Sequence, residues 1–369
     1  MRISTFGCLC LIALISLTGL AGCVSNDQSF EPPRRIGLII DPSEAATVGY
    51  SVGWAQNLAT PDGNQIIDAA LLDDLILILE HPGNVVSALD ASTGAVRWRS
   101  VIGLGEGRLF KPLRYEDRIL INTVKSLYTI STDSGFVVDR IDLPHVVQSE
   151  PTLYGDLALF GAVNGRIYAH QIRAGFPAWE YGMSASISAP IAVTDNRVAV
   201  ADDKGTSALL NADTGEVLWR RISYDRVSSR PIIANDFVAF ASHDRSLYAL
   251  DRHTGEDVWI FRGTRQLTRP AELLDGNLYL PVNEIGLFSI DPATGDTLWQ
   301  IDTPATPIAV QNNRLLAYTE TSILILDTED GDTVAKAPTR RLAQVLMLND
   351  QDLVLISPSG RVLRINEHN

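Results

Sequence analysis

The chain has 369 residues, 46% hydrophobic and 20% charged, which is enough apolar content for a large buried core and excludes whole-chain disorder. Acidic residues outnumber Lys plus Arg by 44 to 30, and a net charge of −14 argues against a nucleic-acid partner, whose phosphates need a basic surface. The three cysteines, Cys8, Cys10 and Cys23, all lie within the first 23 residues, so the remainder has no disulfide, thiolate metal site or thiol nucleophile.

The N-terminus reads as an address. Met1-Arg2 is a short positive region and Phe6 to Leu20 a mostly apolar run, ending in Leu20-Ala21-Gly22-Cys23. The run is short for a membrane span of roughly 20 residues and stops at small residues, as a cleaved signal does. The final tetrapeptide resembles the bacterial lipobox, which implies a signal peptide over residues 1–22, cleavage before Cys23 and acylation of that cysteine. Val24 follows rather than Asp, which by bacterial sorting rules implies the outer membrane. Residues 23–35, with Pro32 and Pro33, read as a solvated tether, and residues 36–369 as a single folded domain.

Along that domain the sequence repeats. Stretches such as Ala88 to Gly94 and Ala249 to Gly255 recur, ending at Gly94, Gly135, Gly175, Gly215, Gly255, Gly295 and Gly331, with spacings of 41, 40, 40, 40, 40 and 36 residues. Four residues after the glycine stands Trp98, Trp179, Trp219, Trp259 or Trp299, and only the Gly135 and Gly331 units lack it. The one remaining tryptophan, Trp54, lies 44 residues before Trp98. Every indole therefore occupies one slot of one repeat.

A single unit shows what the repeat builds. Pro231 to Ala234, Phe237 to Ala241, Leu247 to Leu250 and Val258 to Phe261 are short apolar strands. They are separated by turns at Asn235-Asp236, at His243 to Arg245 and from Asp251 to Gly255. Four strands per unit of about 40 residues is the signature of a propeller blade. The glycine supplies a positive φ in the turn. Pro112, Pro151, Pro190, Pro231, Pro270 and Pro307 open first strands, where a missing N–H costs little. The outer-strand tryptophan covers the next sheet, burying about 150–250 Å².

The count of blades follows from the two ends. After Gly331 the chain supplies three strands, at Leu346 to Leu348, Leu353 to Ile356 and Val362 to Ile365, whereas Tyr50 to Leu58 is a lone outer strand carrying Trp54. Together these fragments make an eighth blade. The expected fold is all-β, an eight-bladed propeller of four-stranded antiparallel blades, closed by the N-terminal outer strand. Seven blades would result if the Gly135 or Gly331 unit were miscounted.

The string Ala-x-Asp-x-x-Thr-Gly-x-x-x-Trp, at Ala88 to Trp98 and Ala249 to Trp259, resembles the repeat of quinoprotein (PQQ-type) propellers. Combined with the lipobox and eight units, the chain is similar to the BamB family of outer-membrane barrel-assembly lipoproteins. That resemblance implies a non-enzymatic, periplasm-facing scaffold without cofactor, monomeric within a complex and bound to periplasmic domains of the barrel-assembly protein. It places the contacts in loops joining an outer strand to the next inner strand. The corresponding loops here are Met183 to Ala189 and Arg226 to Arg230, and neither keeps the family's contact residues. A peptide- or glycan-binding envelope propeller is the alternative. A PQQ-dependent dehydrogenase is disfavoured, because that family uses an adjacent cysteine pair against its cofactor.

Other chemistry is weakly signalled. His81, His145, His170, His243, His253 and His368 show no metal-ligand spacing and read mostly as solvated turn residues, so no catalytic or metal site is expected. Gly103 to Gly107 leads into a strand rather than a helix, and Asp327 to Asp332 fills an ordinary turn slot. Charge divides by face. Aspartates crowd the turns between strands one and two and strands three and four, and arginines crowd the loops between blades. Arg226, Arg230, Arg262, Arg265 and Arg269 form the candidate partner-binding cluster, steering an acidic partner. Reversing Arg226, Arg230, Arg262 and Arg265 to Glu is expected to abolish partner binding with no loss of melting temperature.

Overall fold

Short apolar runs, broken every few positions by turn formers, leave the backbone one economical option, the antiparallel meander. A computed structural model of the chain describes residues 37–60, 63–223 and 225–368, and residues from Leu38 onward gather into one unit. The leader, the tether and all three cysteines lie outside the described residues.

The strands form eight four-stranded antiparallel sheets. Blade 1 spans residues 65–101, blade 2 113–142, blade 3 152–182, blade 4 192–222, blade 5 232–262, blade 6 272–301 and blade 7 306–338. Blade 8 takes three strands from residues 344–367 and its outer strand, Tyr50–Asn57, from the front of the chain. That outer strand pairs antiparallel with Arg361–Glu367, from Tyr50 opposite Glu367 to Asn57 opposite Arg361. The closure inferred from two incomplete fragments is the one observed. Inner strands of blades 8 and 1 touch, and Gln344 stitches them: its Oε1 accepts from Ala69 N–H at 2.8 Å and its Nε2 donates to Ala69 O at 3.1 Å.

Within a blade the two middle strands are almost wholly buried, as at Phe237–Ala241 and Ser246–Asp251, because sheets cover them on both faces. Inner strands of blades 2 to 6 are short; that of blade 5 is only Ile232–Ile233, since Pro231 cannot donate to a ladder. Each outer strand carries a bulge. Trp98 pairs with Ala88 but Val96 with Leu89, leaving Arg97 as the extra residue, and the same step recurs before Trp179, Trp219, Trp259 and Trp299. The bulged residue points outward, so Leu218, Val258 and Leu298 are exposed apolar side chains on the rim.

One element has no counterpart in the sequence reading. Pro42–Thr47 is a one-and-a-half-turn helix, with Pro42 in its first turn and Ala45 buried. It packs against the outer strands of blades 7 and 8.

Candidate docking face

Each loop that leaves the outer strand of blades 1 to 7 plants one aliphatic side chain between its own blade and the next. Leu109, Val147, Ile187, Val227, Leu267, Ala305 and Leu342 are these anchors, and all are buried. Ile187 shows why the position is tight: a Cβ on Gly161 beneath it would come within 2.4 Å of Ile187 Cγ2. Ile187 N–H also donates to Ala162 O at 3.1 Å. The anchors recur at nearly the repeat spacing, so the register that located the tryptophans could have located them. They were missed because a lone aliphatic residue in a loop carries no chemical signature.

The anchored loop 183–189 is braced from below by the fully buried carboxylate of Asp202, whose backbone O also accepts from Val227 N–H of loop 226–230 at 3.5 Å. One carboxylate oxygen accepts from Ser184 N–H at 3.0 Å, Ser184 Oγ at 2.6 Å and Ala185 N–H at 3.0 Å. The other accepts from Lys204 and Thr206 N–H at 3.0 and 2.9 Å. With every lone pair used, the charge is held without a cation beside it. Ser188 Oγ donates to Asp203 at 2.5 Å, and Arg226 reaches both, Ser188 Oγ at 3.1 Å and Asp203 at 3.3 Å. His243 Nε2 and Ser228 Oγ share a hydrogen bond of 2.7 Å, and burial, then Arg226, pulls the His243 pKa below its ordinary value.

The five candidate arginines do not form one free basic patch. Arg226 is spent on Ser188 and Asp203. Arg230 pairs with Glu150 at 2.7 Å and Arg265 with Glu284 at 3.4 Å. Arg262 donates to Ser246 Oγ at 3.3 Å. Arg269 is half-buried and donates to Pro304 O at 3.0 Å and to Thr306 Oγ1, tying blade 6 to blade 7. Reversing Arg226, Arg230 and Arg265 would set new carboxylates against Asp203, Glu150 and Glu284. A loss of melting temperature is therefore expected with that variant, contrary to the sequence-based expectation.

Arg230 and Glu150 belong to a further ring. Lys111, Glu150, Ala189, Arg230, Arg269 and Thr306 each directly precede a strand-opening proline, one per blade from 2 to 7. The Arg230–Glu150 bridge joins blades 5 and 3 past the small Ala189 of blade 4. Asp68 of blade 1 and Glu272 of blade 6 lie in the same axial region. Burial pushes both pKa values up, against the pull of Lys111 and Arg108 on Asp68 and of Arg230 and Lys111 on Glu272. Blade 6 sensing Lys111 of blade 2 places these charges on the axis. Among the described residues no group of three or more His, Cys, Asp and Glu side chains is placed to hold a metal ion. The axial carboxylates are instead faced by Lys and Arg.

The histidines divide differently from expectation. His145, His243 and His253 are loop or turn residues, but His170 lies in the strand Arg166–Gln171 and is buried, with neither ring nitrogen hydrogen-bonded. The six tryptophans line the rim. Each Nε1 donates to the carbonyl three residues before a turn glycine of the next blade: Ala91, Thr132, Ala212, Arg252, Pro292 and Thr328, at 2.7–3.0 Å. The rings lie on Gly94, Gly135, Gly215, Gly255, Gly295 and Gly331, where a Cβ would approach the indole within 2.3–2.7 Å.

A family model described as outer membrane protein assembly factor BamB matches residues 82–188 and 163–369. A relative of that name in Yersinia pestis is 26% identical over 233 residues, 58% of this chain and 56% of that protein. The first relatives are spanned for 20% to 56% of their own lengths. Among solved structures, BamB from Moraxella catarrhalis superposes with a TM-score of 0.69 at 16% identity, covering 86% of this chain and 99% of that one. A quinohemoprotein alcohol dehydrogenase from Comamonas testosteroni reaches 0.69 at 12% identity, covering 88% and 78%. At such identities the superpositions show the fold alone.

Proposed function

Because the chain belongs to the family of the outer membrane protein assembly factor BamB, we propose that it is a non-enzymatic scaffold in outer-membrane protein assembly. In this reading Cys23 is acylated, the tether 23–35 holds the propeller off the lipid in the periplasm, and the loops after the outer strands of blades 3 and 4 dock the barrel-assembly protein. The observation that carries it is the Asp202 brace. Loops 183–189 and 226–230, which the family resemblance marks as contact loops, are tied to one another by Arg226, which reaches Ser188 and Asp203, and both rest on Asp202, whose carboxylate holds Ser184 and whose backbone O accepts from Val227 N–H. A surface already ordered before contact loses less conformational freedom on binding.

The test is steric. Ser186 and Ser228 are half-buried on these loops, beside the anchors Ile187 and Val227. Ser186→Trp and Ser228→Trp, made singly in the full lipoprotein and compared only where circular dichroism matches that of the unaltered protein, should each cut co-purification with the barrel-assembly protein at least tenfold. Undiminished co-purification overturns the docking assignment. Separately, replacing residues 1–23 with a cleavable secretory signal that leaves no cysteine should move the protein from the membrane to the soluble fraction; retention in the membrane overturns the anchor.

A further inference from the structure

Two of the eight outer strands lack the indole, and the two resulting junctions differ. In blade 7 Ala335 pairs with Ile325 at the slot. There the chain covers the gap itself: Ile39, Ile40, Ala45 and Val48 join Ala335, Ala337 and Leu342 in one apolar cluster. In blade 2 the slot holds Asp139, paired with Thr129 as Trp98 pairs with Ala88. The turn glycine it should cover is Gly175 of blade 3, with φ +73° like the others, yet a Cβ built there meets nothing within 4 Å. It is the one open position among the seven turn glycines.

The surroundings of this gap are apolar and asymmetrically charged. Phe136 and Phe176, each directly after the turn glycine of its blade, are 74% and 57% exposed. Ala95, Glu216, Glu256, Asp296 and Asp332 hold the same place in other blades. Val137 and Val138 add exposed apolar surface on the same outer strand. The Asp139 carboxylate accepts from Arg140 N–H at 2.9 Å and takes part in no ion pair among the described residues.

We propose that the open junction between blades 2 and 3 is a docking notch for a partner polypeptide that lays an aromatic side chain, an indole foremost, over Gly175 with a basic residue beside it. The molecule supplies the template six times over: an indole on the glycine, its N–H to the carbonyl three residues earlier, here Ile172. The blade 7 junction shows that a missing indole is made good by apolar residues from elsewhere. Asp139 supplies the charge preference, since a carboxylate without a cationic partner attracts one. This site is on the rim and stands apart from the loop face.

The probe is the tetrapeptide acetyl-Gly-Lys-Trp-Gly-amide, with the Trp replaced by Ala as control, titrated calorimetrically into the folded protein. Saturable binding of the first and none of the second is expected. Asp139→Trp fills the notch from within; it should raise the melting temperature by several degrees and weaken the peptide at least tenfold. Because that variant could repack the strand, Phe136→Ser with Phe176→Ser, both exposed, serves as a second and should weaken binding at least fivefold. Asp139→Asn should weaken the Lys-Trp peptide while sparing the same peptide with norleucine for lysine. Equal binding of both tetrapeptides, no binding of either, or full binding to the Asp139→Trp protein overturns the proposal.

Discussion

His170 stands where Leu89, Ile130, Leu210, Leu250, Ile290 and Leu326 stand in other blades, one residue past the third-strand partner of the indole slot. It is buried with both ring nitrogens unpaired, and burial lowers its pKa below the ordinary imidazole value. The folded state therefore holds it neutral while the unfolded chain protonates below about pH 6.5. The resulting stability is complete above that pH and is lost as pH falls toward the lower folded value. His170→Leu should raise stability by about 1–2 kcal/mol at pH 8, because an unsatisfied polar group is removed. The gain should grow at pH 5, read by urea unfolding at both; an equal or smaller gain at pH 5 refutes the mechanism. The turn glycines give a paired contrast. Gly255→Ala must place a methyl 2.7 Å from Trp219 Cδ2 at φ +74°, whereas Gly175→Ala has the strained φ but free space. The second should cost only about 1–2 kcal/mol from the backbone, and the first clearly more, since the indole must also move. The glycines and tryptophans were legible because a 40-residue beat marks them. Asp202 and His170 were not, because a turn aspartate and a lone histidine look alike wherever they sit.

At the scale of the element, strands two and three of each blade read directly from the sequence, since burial on both faces demands unbroken apolar runs between turn signals. The inner strand of blade 5 came out shorter than the stretch Pro231 to Ala234, because the opening proline cannot donate, whereas that of blade 8, Gln344–Leu348, came out longer than Leu346 to Leu348. The bulge before each indole had no marker of its own. The helix Pro42–Thr47 escaped notice although Asp41-Pro42-Ser43-Glu44 is a fair start signal, because six residues are too few to show a period. Its energetic role is testable through the segment just before it. Ile39 and Ile40 are 2% and 1% exposed and pack on the Trp-less face of blade 7. Ile40→Ala should therefore destabilise by about 2–4 kcal/mol, as a core truncation does. A change below about 0.5 kcal/mol, the scale of a surface substitution, would show that the segment does not seal the junction.

For the whole molecule, the closed ring sets apart what sequence distance can reveal. The eighth blade was legible because its two halves advertise their incompleteness, three strands at one end and one at the other. Contacts across the axis were not, since Glu150 and Arg230 are 80 residues apart with nothing local to join them. Those contacts nonetheless make the axis a shared electrostatic unit. Asp68, half-buried, carries a pKa raised chiefly by burial, so in the folded ring it holds its proton more tightly than in the unfolded chain, whereas Glu272 keeps an exposed side chain. The sign is opposite to that of a salt-bridged carboxylate: this contribution destabilises as pH rises above the ordinary carboxylate range and vanishes well below it. Asp68→Asn should raise the melting temperature at pH 7.5, and the advantage should shrink on titration toward pH 4, whereas Glu272→Gln, at an exposed side chain, should change it less. An advantage that instead grows on acidification would mean that the lysine and arginines, not desolvation, govern the axis, and that its carboxylates act as ties between blades.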